Sequence, residues 1–325
     1  MASGGAINTN FDVIVASPNA AIDSYYILTQ LNTGSVNRAD RVLHTAGGKG
    51  INMARAVIAL QGRVLSLGIV GGFAGEFIVS ELERECIPSD MLWTQNETRR
   101  CTSLVFPEQM QTTVILDSGS EVSIEAGDEL IHKVQAYASR APFLVLTGSL
   151  PPSFPSSYYA DIVGKVRGSP GLRVCLDCSG ETLRLAVENG AQVIKINSKE
   201  FQETFSKKEA AWDPHDVSRM FASLTKSGVE LLIITDGSHG AYIFPAGEEP
   251  FHVVTRVDKW VNTAGAGDTF MAGLLVGFNR GLSIEAATCY ASAASSAKLQ
   301  QIVCGSLDLE DVNRFLPLTR VERLF

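Results

Sequence analysis

Residues 265–268, Gly-Ala-Gly-Asp, contain the residue types that phosphoryl transfer needs, and they run into a predicted helix of small and apolar residues. Because Gly265 and Gly267 lack bulky side chains, consecutive N–H groups can point at one spot, where the helix N-terminus adds about half a positive charge. Such a nest suits phosphoryl oxygens, including the negative charge of a transition state. The Asp268 carboxylate enters the same nest and could accept the proton of an attacking substrate hydroxyl. In the alternative interpretation, Asp268 only complements the helix dipole and the glycines only turn the chain.

A second glycine-rich segment, residues 47–52 (Gly-Gly-Lys-Gly-Ile-Asn), also precedes a predicted helix. It is not a Walker A loop, because Leu43 and Gly50 stand where that pattern requires Gly and Ser or Thr. Lys49 and Asn52 would flank backbone donors, an arrangement that suits a polar or phosphorylated sugar. The alternative is an ordinary turn with a solvated lysine.

Two polar segments follow predicted strands further along the chain. Asn197 and Glu200 lie three residues apart after one strand, and their oxygen atoms could hold a hydrated Mg²⁺ through water. They could equally form a capping box at the start of a helix. Thr235, Gly237 and Gly240 follow another strand, and the two glycines would let a nucleotide approach the backbone closely. Taken alone, this second segment is a plausible turn.

The elements that must position these segments predict an α/β fold, because short apolar runs alternate with longer helical patterns. We expect a mostly parallel central sheet with helices on both faces. Ligands bind beyond the carboxyl ends of the strands in such sheets, so the polar segments should meet there. The predicted strands are residues 13–16, 143–147, 173–176, 193–196 and 231–235, and the predicted helices are residues 51–60, 75–85, 156–167, 181–189 and 217–227.

Two stretches interrupt this alternation, residues 25–44 and 99–123, which are rich in β-formers and turns. Within the second, residues 102–106 and 112–116 predict paired strands across a turn at residues 107–111. We interpret the two stretches as a small antiparallel sheet, the predicted lid. A single domain over residues 1–325, with three α/β/α layers and this lid, fits better than two equal domains.

Composition excludes several classes of protein. The 325 residues include 27 basic and 35 acidic side chains, a net charge of −8 with no Lys/Arg block, which argues against a protein that coats nucleic acid. A small phosphate needs only a few aimed cations and N–H groups, so this charge does not exclude an anionic substrate. No secretory signal is evident, and no apolar stretch approaches the roughly 20 residues that cross a bilayer. We therefore expect a cytoplasmic protein without a membrane partner.

Taken together and in this order, the segments resemble the phosphofructokinase-B (ribokinase-like) family of carbohydrate kinases. The resemblance covers roughly residues 12 to 300, and the ordered set is far more specific than any single segment. The matching segments are residues 17–23, 47–55, 147–151, 177–180, 195–200, 235–237 and 262–268.

The resemblance implies a ribokinase-like fold and ATP-dependent, Mg²⁺-dependent phosphorylation of a sugar hydroxyl. It implies Asp268 as catalytic base, and an anion hole formed by Gly265, Ala266 and Gly267. It places Asn197 and Glu200 near Mg²⁺ and the phosphates. The residues implied on the nucleotide side are Lys195, Asn197, Thr235, Gly237 and Gly240, and those on the sugar side are Asp23, Gly47, Gly48 and Asn52. The lid of this family often forms dimers, so the resemblance also implies a homodimer.

Within the family, the chain is more similar to the phosphosugar branch, which contains fructose-1-phosphate, tagatose-6-phosphate and minor fructose-6-phosphate kinases. Lys49, Arg99 and Ser149 could grip the phosphate of such a substrate, since arginine can bind two oxygens at once. Arg100 competes with Arg99 because the sequence does not fix the register of the lid. Asn262, where kinases of free sugars commonly carry aspartate, favours the same branch.

Two alternatives stay open at this stage. One is a kinase of an unphosphorylated sugar or nucleoside, which the lysine of residues 47–50 and Asn262 disfavour. The other is a regulator that binds nucleotide and sugar without turnover, which the intact Asp268 and Gly-Ala-Gly turn disfavour.

Overall fold

The structure is a computed structural model that describes residues 11–205 and 213–325, and its first strand, β1 (Val13–Ser17), is buried along its whole length. Val13 and Val15 pack into the core on one side of the sheet, whereas Ile14 and Ala16 pack into the core on the other side. Both faces of the strand are covered, which is typical of a strand inside a parallel sheet.

The other elements of the described residues follow the predicted alternation of strands and helices. The strands are β2 (Ala21–Ile27), β3 (Arg41–Gly47), β4 (Val64–Gly71), β5 (Ser89–Thr94), β6 (Arg99–Phe106), β7 (Gln111–Ile115), β8 (Phe143–Thr147), β9 (Arg173–Asp177), β10 (Val193–Asn197), β11 (Leu231–Thr235), β12 (Ala241–Pro245), β13 (Phe251–Thr255) and β14 (Thr319–Arg323). The helices are α1 (Lys49–Ala59), α2 (Gly72–Arg84), α3 (Ile124–Tyr137), α4 (Tyr158–Val166), α5 (Gly180–Glu188), α6 (Ser198–Phe205), α7 (Pro214–Leu224), α8 (Ala266–Asn279), α9 (Ile284–Lys298) and α10 (Leu309–Phe315). The predicted elements are present, with bounds displaced by no more than three residues.

The order of the strands in the main sheet shows where a site can form. The order is β14-β13-β12-β11-β10-β9-β8-β1-β4-β5, with parallel pairing from β11 to β5 and antiparallel pairing from β11 to β14. From β1 the chain builds β4 and β5 on one side, and later builds β8 to β11 on the other. The order therefore reverses at β1, and α/β sheets bind ligands beyond the carboxyl ends of the strands at such a point.

Helices cover both faces of the main sheet, as predicted. One core contains apolar residues of α1, α2, α8, α9 and α10, and the other contains those of α3 to α7. The prediction of three α/β/α layers around a mostly parallel sheet is confirmed. Across residues 11–205 and 213–325, none of the helices is long and apolar enough to cross a membrane.

The predicted small sheet is also confirmed, and it has the strand order β3-β2-β6-β7. Its two hairpins, β2–β3 and β6–β7, are antiparallel, and one parallel pair, β2–β6, joins them. Strand β2 begins at Ala21, earlier than the predicted start of the lid at residue 25. Asp23 interrupts the apolar pattern there, because it faces a cavity rather than the core.

Candidate active site

A cavity of about 650 Å³ lies between the carboxyl ends of the main sheet and the small sheet. Most of the residues that the sequence singled out line it: Asp23, Gly48, Lys49, Asn52, Arg99, Ser149, Lys195, Asn197, Glu200, Thr235, Gly265, Ala266, Gly267 and Asp268. Two apolar side chains also line the cavity, Val114 of β7 and Leu116, which directly follows β7. Of the described residues that the sequence indicated, Gly47, Gly237 and Gly240 do not contribute to the lining.

The start of α8 has the geometry of an anion-binding turn. Gly265 precedes the helix with φ 78°, and a Cβ at this position would lie 2.8 Å from the Cβ of Cys304. Both the left-handed backbone and the close approach therefore require glycine. The first turn of a helix leaves N–H groups without partners inside the helix, and here Gly267 and Asp268 supply them at the cavity wall.

A buried carboxylate beneath the cavity, Asp177 at the end of β9, holds two lysines. It has no exposed surface, and its two oxygens lie 3.1 Å from Lys49 Nζ and 3.0 Å from Lys195 Nζ. Burial alone would raise the pKa of Asp177, but the ammonium groups of Lys195 and Lys49 outweigh burial and lower the pKa to about 2. Asp177 is therefore a fixed negative charge that aims two positive charges at the cavity.

Asp268 has the opposite electrostatic environment. It is 5% exposed, and burial followed by the negative charge of Asp177 raises the pKa of Asp268 to about 6, although Lys49 and Lys195 oppose the rise. Among the described ion pairs, none places a lysine or arginine within 4.0 Å of Asp268. The pKa values of these two carboxyl groups are thus shifted in opposite directions, an arrangement that is typical of acid–base sites.

The sugar side of the cavity contains Asp23, which accepts hydrogen bonds from the N–H of Gly48 and from Asn52 Nδ2, both at 3.4 Å. Burial raises the pKa of Asp23 above its ordinary value, although the two hydrogen bonds act to lower it. Gly47 lies outside the cavity lining but makes room for this carboxylate, because a Cβ there would lie 2.2 Å from the carboxyl carbon of Asp23.

The register of the small sheet separates Arg99 from Arg100. Asp23 pairs with Cys101 across β2 and β6, and both line the cavity, so the odd residues of β6 face inward. Arg99 lines the cavity and donates to the backbone oxygens of Asn19, Asp117 and Ala20. The exposed side chain of Arg100 lies on the other face, 3.5 Å from Glu97.

The segment at Asn197 forms the capping box that the sequence left as one of two alternatives. Asn197 Oδ1 accepts from the N–H of Glu200 at 2.8 Å, and Glu200 Oε2 accepts from the N–H of Asn197 at 3.3 Å. Glu200 Oε1 also lies 3.9 Å from Lys49 Nζ, at the cavity wall. No group of three or more metal-ligating side chains occurs in the part of the chain that the structure describes. The oxygen atoms present here fit contact with Mg²⁺ through its water shell rather than a protein cage.

Sequence reasoning quoted Asp177 within a matching segment but assigned it no role. The signal was present, because Asp177 directly follows the predicted strand 173–176, and ligands bind beyond the carboxyl ends of strands in these sheets. What the sequence could not supply is the convergence of Lys49 and Lys195, which lie 128 and 18 residues away.

The chain is similar to known proteins over most of its length. Residues 15–311 match the model of the pfkB family of carbohydrate kinases. Phosphofructokinase-2 from Escherichia coli, solved with substrates and products, is 25% identical with a TM-score of 0.85, over 94% of this chain and 98% of that one. A proposed phosphofructokinase from Staphylococcus aureus is 26% identical with a TM-score of 0.78, over 96% and 99% of the two chains. A proposed 1-phosphofructokinase from Thermotoga maritima shares the fold at 19% identity, with a TM-score of 0.85 over 96% and 99%.

Proposed function

We propose that this chain, which belongs to the pfkB family of carbohydrate kinases, transfers the γ-phosphoryl group of ATP to a hydroxyl of a sugar phosphate. The observation that carries the proposal is the position of Asp268. Its buried carboxylate has a pKa raised to about 6, at the N-terminus of α8 and in the same cavity as Lys49 and Lys195. A base with a raised pKa suits the removal of a proton from an alcohol near neutral pH.

In the proposed mechanism, the substrate hydroxyl donates its proton to Asp268 while its oxygen forms a bond to the γ-phosphorus. The bond between that phosphorus and the bridging oxygen of ATP breaks, and ADP leaves. The N–H groups at the start of α8 stabilise the charge of the moving phosphoryl group, with Lys49 and Lys195 held nearby by Asp177. Mg²⁺, when bound, would neutralise charge on the phosphates, and Asn197 and Glu200, which line the cavity, would contact its water shell.

The phosphate of the sugar would bind at Arg99 and Ser149, with Lys49 nearby. Three of the five N–H groups of Arg99 donate to backbone carbonyls, which leaves two for a phosphate and fixes the plane of the guanidinium. Fructose 1-phosphate, tagatose 6-phosphate and fructose 6-phosphate all offer such a group and are the proposed substrates. Thr235 would lie on the nucleotide side, with Gly237 and Gly240 in the turn that follows it.

A substrate panel tests the proposal. The purified protein is incubated with Mg-ATP and each sugar phosphate, each parent free sugar and several nucleosides, and ADP release is followed. Phosphorus NMR of the product then identifies the new phosphate ester. Turnover confined to unphosphorylated acceptors would contradict the phosphosugar proposal, and ATP binding without turnover on any acceptor would favour the non-catalytic alternative.

Arg99→Ala is expected to raise KM for the sugar phosphate by roughly 10- to 100-fold, because charge-assisted hydrogen bonds contribute about 1.5–3 kcal/mol. KM for ATP should change little. Arg100→Ala is the matched control, since its side chain lies on the opposite face of β6 beside Glu97. Initial-rate kinetics with both substrates measure the effects. Equal effects of the two substitutions would show that Arg99 does not hold the phosphate.

We also propose that the chain forms a homodimer through the small sheet. Its outer face carries two exposed apolar side chains, Val42 and Ile115. Burying such side chains stabilises an interface, so Val42→Glu combined with Ile115→Glu should convert the dimer to a monomer. Light scattering after size-exclusion chromatography measures the mass. A monomeric parent protein would contradict the proposed dimer. The cytoplasmic location of the protein is a separate prediction.

A further inference from the structure

A fully buried lysine lies directly behind the anion-binding turn and has no role in the mechanism above. Lys298, the last residue of α9, has no exposed surface. Its Nζ donates to the backbone oxygens of Asn262 at 2.8 Å and Gln301 at 3.4 Å. In residues 11–205 and 213–325, none of the ion pairs includes Lys298. A buried ammonium that donates hydrogen bonds only to backbone carbonyl oxygens is unusual, because buried lysines are normally paired with a carboxylate.

The two oxygens belong to the two loops that meet at this turn, residues 261–265 and 299–305. The N–H of Val261 donates to Leu299 O at 2.8 Å, and Asn262 Nδ2 donates to Ile302 O at 2.6 Å. Gly265 then packs against Cys304, so the second loop forms the floor beneath the start of α8. The ammonium of Lys298 therefore lies at the point where the backbone that enters the turn is held in place.

We propose that Lys298 is a positioning residue for phosphoryl transfer, whose ammonium gathers the carbonyl groups of both loops and thereby fixes the turn at Gly265. The C=O and N–H of a trans peptide point in opposite directions. Because the carbonyl of Asn262 is turned toward Lys298, the N–H of Thr263 points away from it, and Thr263 lines the cavity. This inference rests on the proposed kinase function, since it is the turn of that site that the lysine would hold.

The charge of Lys298 costs stability, which distinguishes a positioning role from a role in packing the core. Burial lowers the pKa of Lys298 to about 8, and the Cys304 thiol and the Asp268 carboxyl, the titratable groups that act on it, partly oppose this shift. A lysine whose pKa is lower in the folded protein reduces stability at neutral pH, where it must stay charged. Replacement by an apolar side chain of similar length should thus leave stability intact or raise it.

The first test is Lys298→Met. We expect kcat to fall by about tenfold or more, because Lys298 orients the turn at Gly265 for the transfer step. The KM for both substrates should stay within about threefold, and the melting temperature should not fall. The control is Lys226→Met, which removes an exposed lysine far from the cavity and should change none of these quantities. A variant with the kcat and melting temperature of the parent protein would overturn the proposal.

The second test is chemical rescue of Lys298→Ala, whose cavity could admit an ammonium ion. Ammonium chloride should restore part of the lost kcat, whereas tetramethylammonium chloride at equal ionic strength should not, because that ion is too large and donates no hydrogen bond. Hydrogen exchange gives a readout besides activity: amides of residues 261–266 and 299–305 should exchange faster in the variant and slow again with ammonium. Failure of ammonium to restore either quantity would show that Lys298 only fills space. A parent protein without turnover on any acceptor, but with ammonium-dependent exchange in the variant, would instead overturn the proposed function alone.

Discussion

Asp268→Asn is expected to lower kcat by roughly 10²- to 10⁴-fold, the usual contribution of a positioned general base. The amide has nearly the same shape as the carboxylate but cannot accept the proton of the substrate hydroxyl at neutral pH. The backbone N–H groups of the turn do not depend on this side chain, so the dissociation constant for ATP should stay within about threefold. Single-turnover kinetics and nucleotide binding by calorimetry measure the two quantities separately.

The same substitution should make the protein more stable. The pKa of Asp268 is raised to about 6 in the folded protein, so the folded state binds more protons than the unfolded state between about pH 4 and pH 6. Stability therefore falls as the pH rises through this window, by on the order of 3 kcal/mol, and the loss persists at pH 7 and above. Asparagine carries no charge, so Asp268→Asn should raise the melting temperature at pH 8 and change it little at pH 4. Higher stability with lower activity is expected where a site contains a strained charge.

The matched control for Asp268→Asn changes a carboxylate outside the cavity. Asp311→Asn removes a partly exposed carboxylate near the start of α10, where it pairs with Arg314, and should leave kcat unchanged. If Asp268→Asn kept more than about a tenth of the parent kcat, Asp268 would not be the base. A fall in melting temperature at pH 8 would show that the carboxylate stabilises the fold, against its raised pKa.

The sequence predicted those parts of the fold and site that depend on local pattern. Buried strands appear in the sequence as apolar runs because both of their faces are covered. Polar residues directly after those runs lie at the carboxyl ends of the strands, where ligands bind. For this reason Asn197 and Thr235 were predicted to lie at one edge of the sheet, and the structure brings them to the same cavity as Asp268. Gly265 was also predicted, as part of a turn before a helix, and the structure shows that a Cβ there would lie 2.8 Å from the Cβ of Cys304.

Contacts between distant segments could not be predicted in the same way. The choice between Arg99 and Arg100 depends on the register of β2 against β6, and a shift of one residue would exchange their faces. Lys298 ends an alanine-rich helix, where a lysine ordinarily extends into solvent. Only the packing of two loops around it shows that it is buried.

Asp177→Asn is expected to have the largest effect on stability of any substitution at the site. The change leaves Lys195, which is 4% exposed, without a negative partner, and breaking a buried ion pair in this way costs about 3–5 kcal/mol. The lowered pKa of Asp177 means that its contribution is present above about pH 4 and is lost as the pH falls toward 2. Urea denaturation should therefore show a large loss of stability at pH 7 that becomes smaller near pH 3. Asp90→Asn is the matched control, because Asp90 also accepts from two donors, Lys133 and Tyr137, but is partly exposed and should lose no more than about 1 kcal/mol.

Asp177→Asn should also change how the rate depends on pH, which distinguishes an electrostatic role from a structural one. In the parent protein, kcat/KM should fall about tenfold per pH unit below an apparent pKa near 6, because the protonated form of Asp268 cannot act as a base. The charge of Asp177 contributes to that raised pKa, so its removal should move the acid limb to lower pH, even though the maximal rate falls as Lys49 and Lys195 lose their anchor. Destabilisation alone would lower the active fraction without moving the limb, so measurements are made well below the melting temperature. An acid limb that stayed in place would show that Asp177 acts on the lysines only, and a shift to higher pH would contradict the assignment of Asp268 as the base.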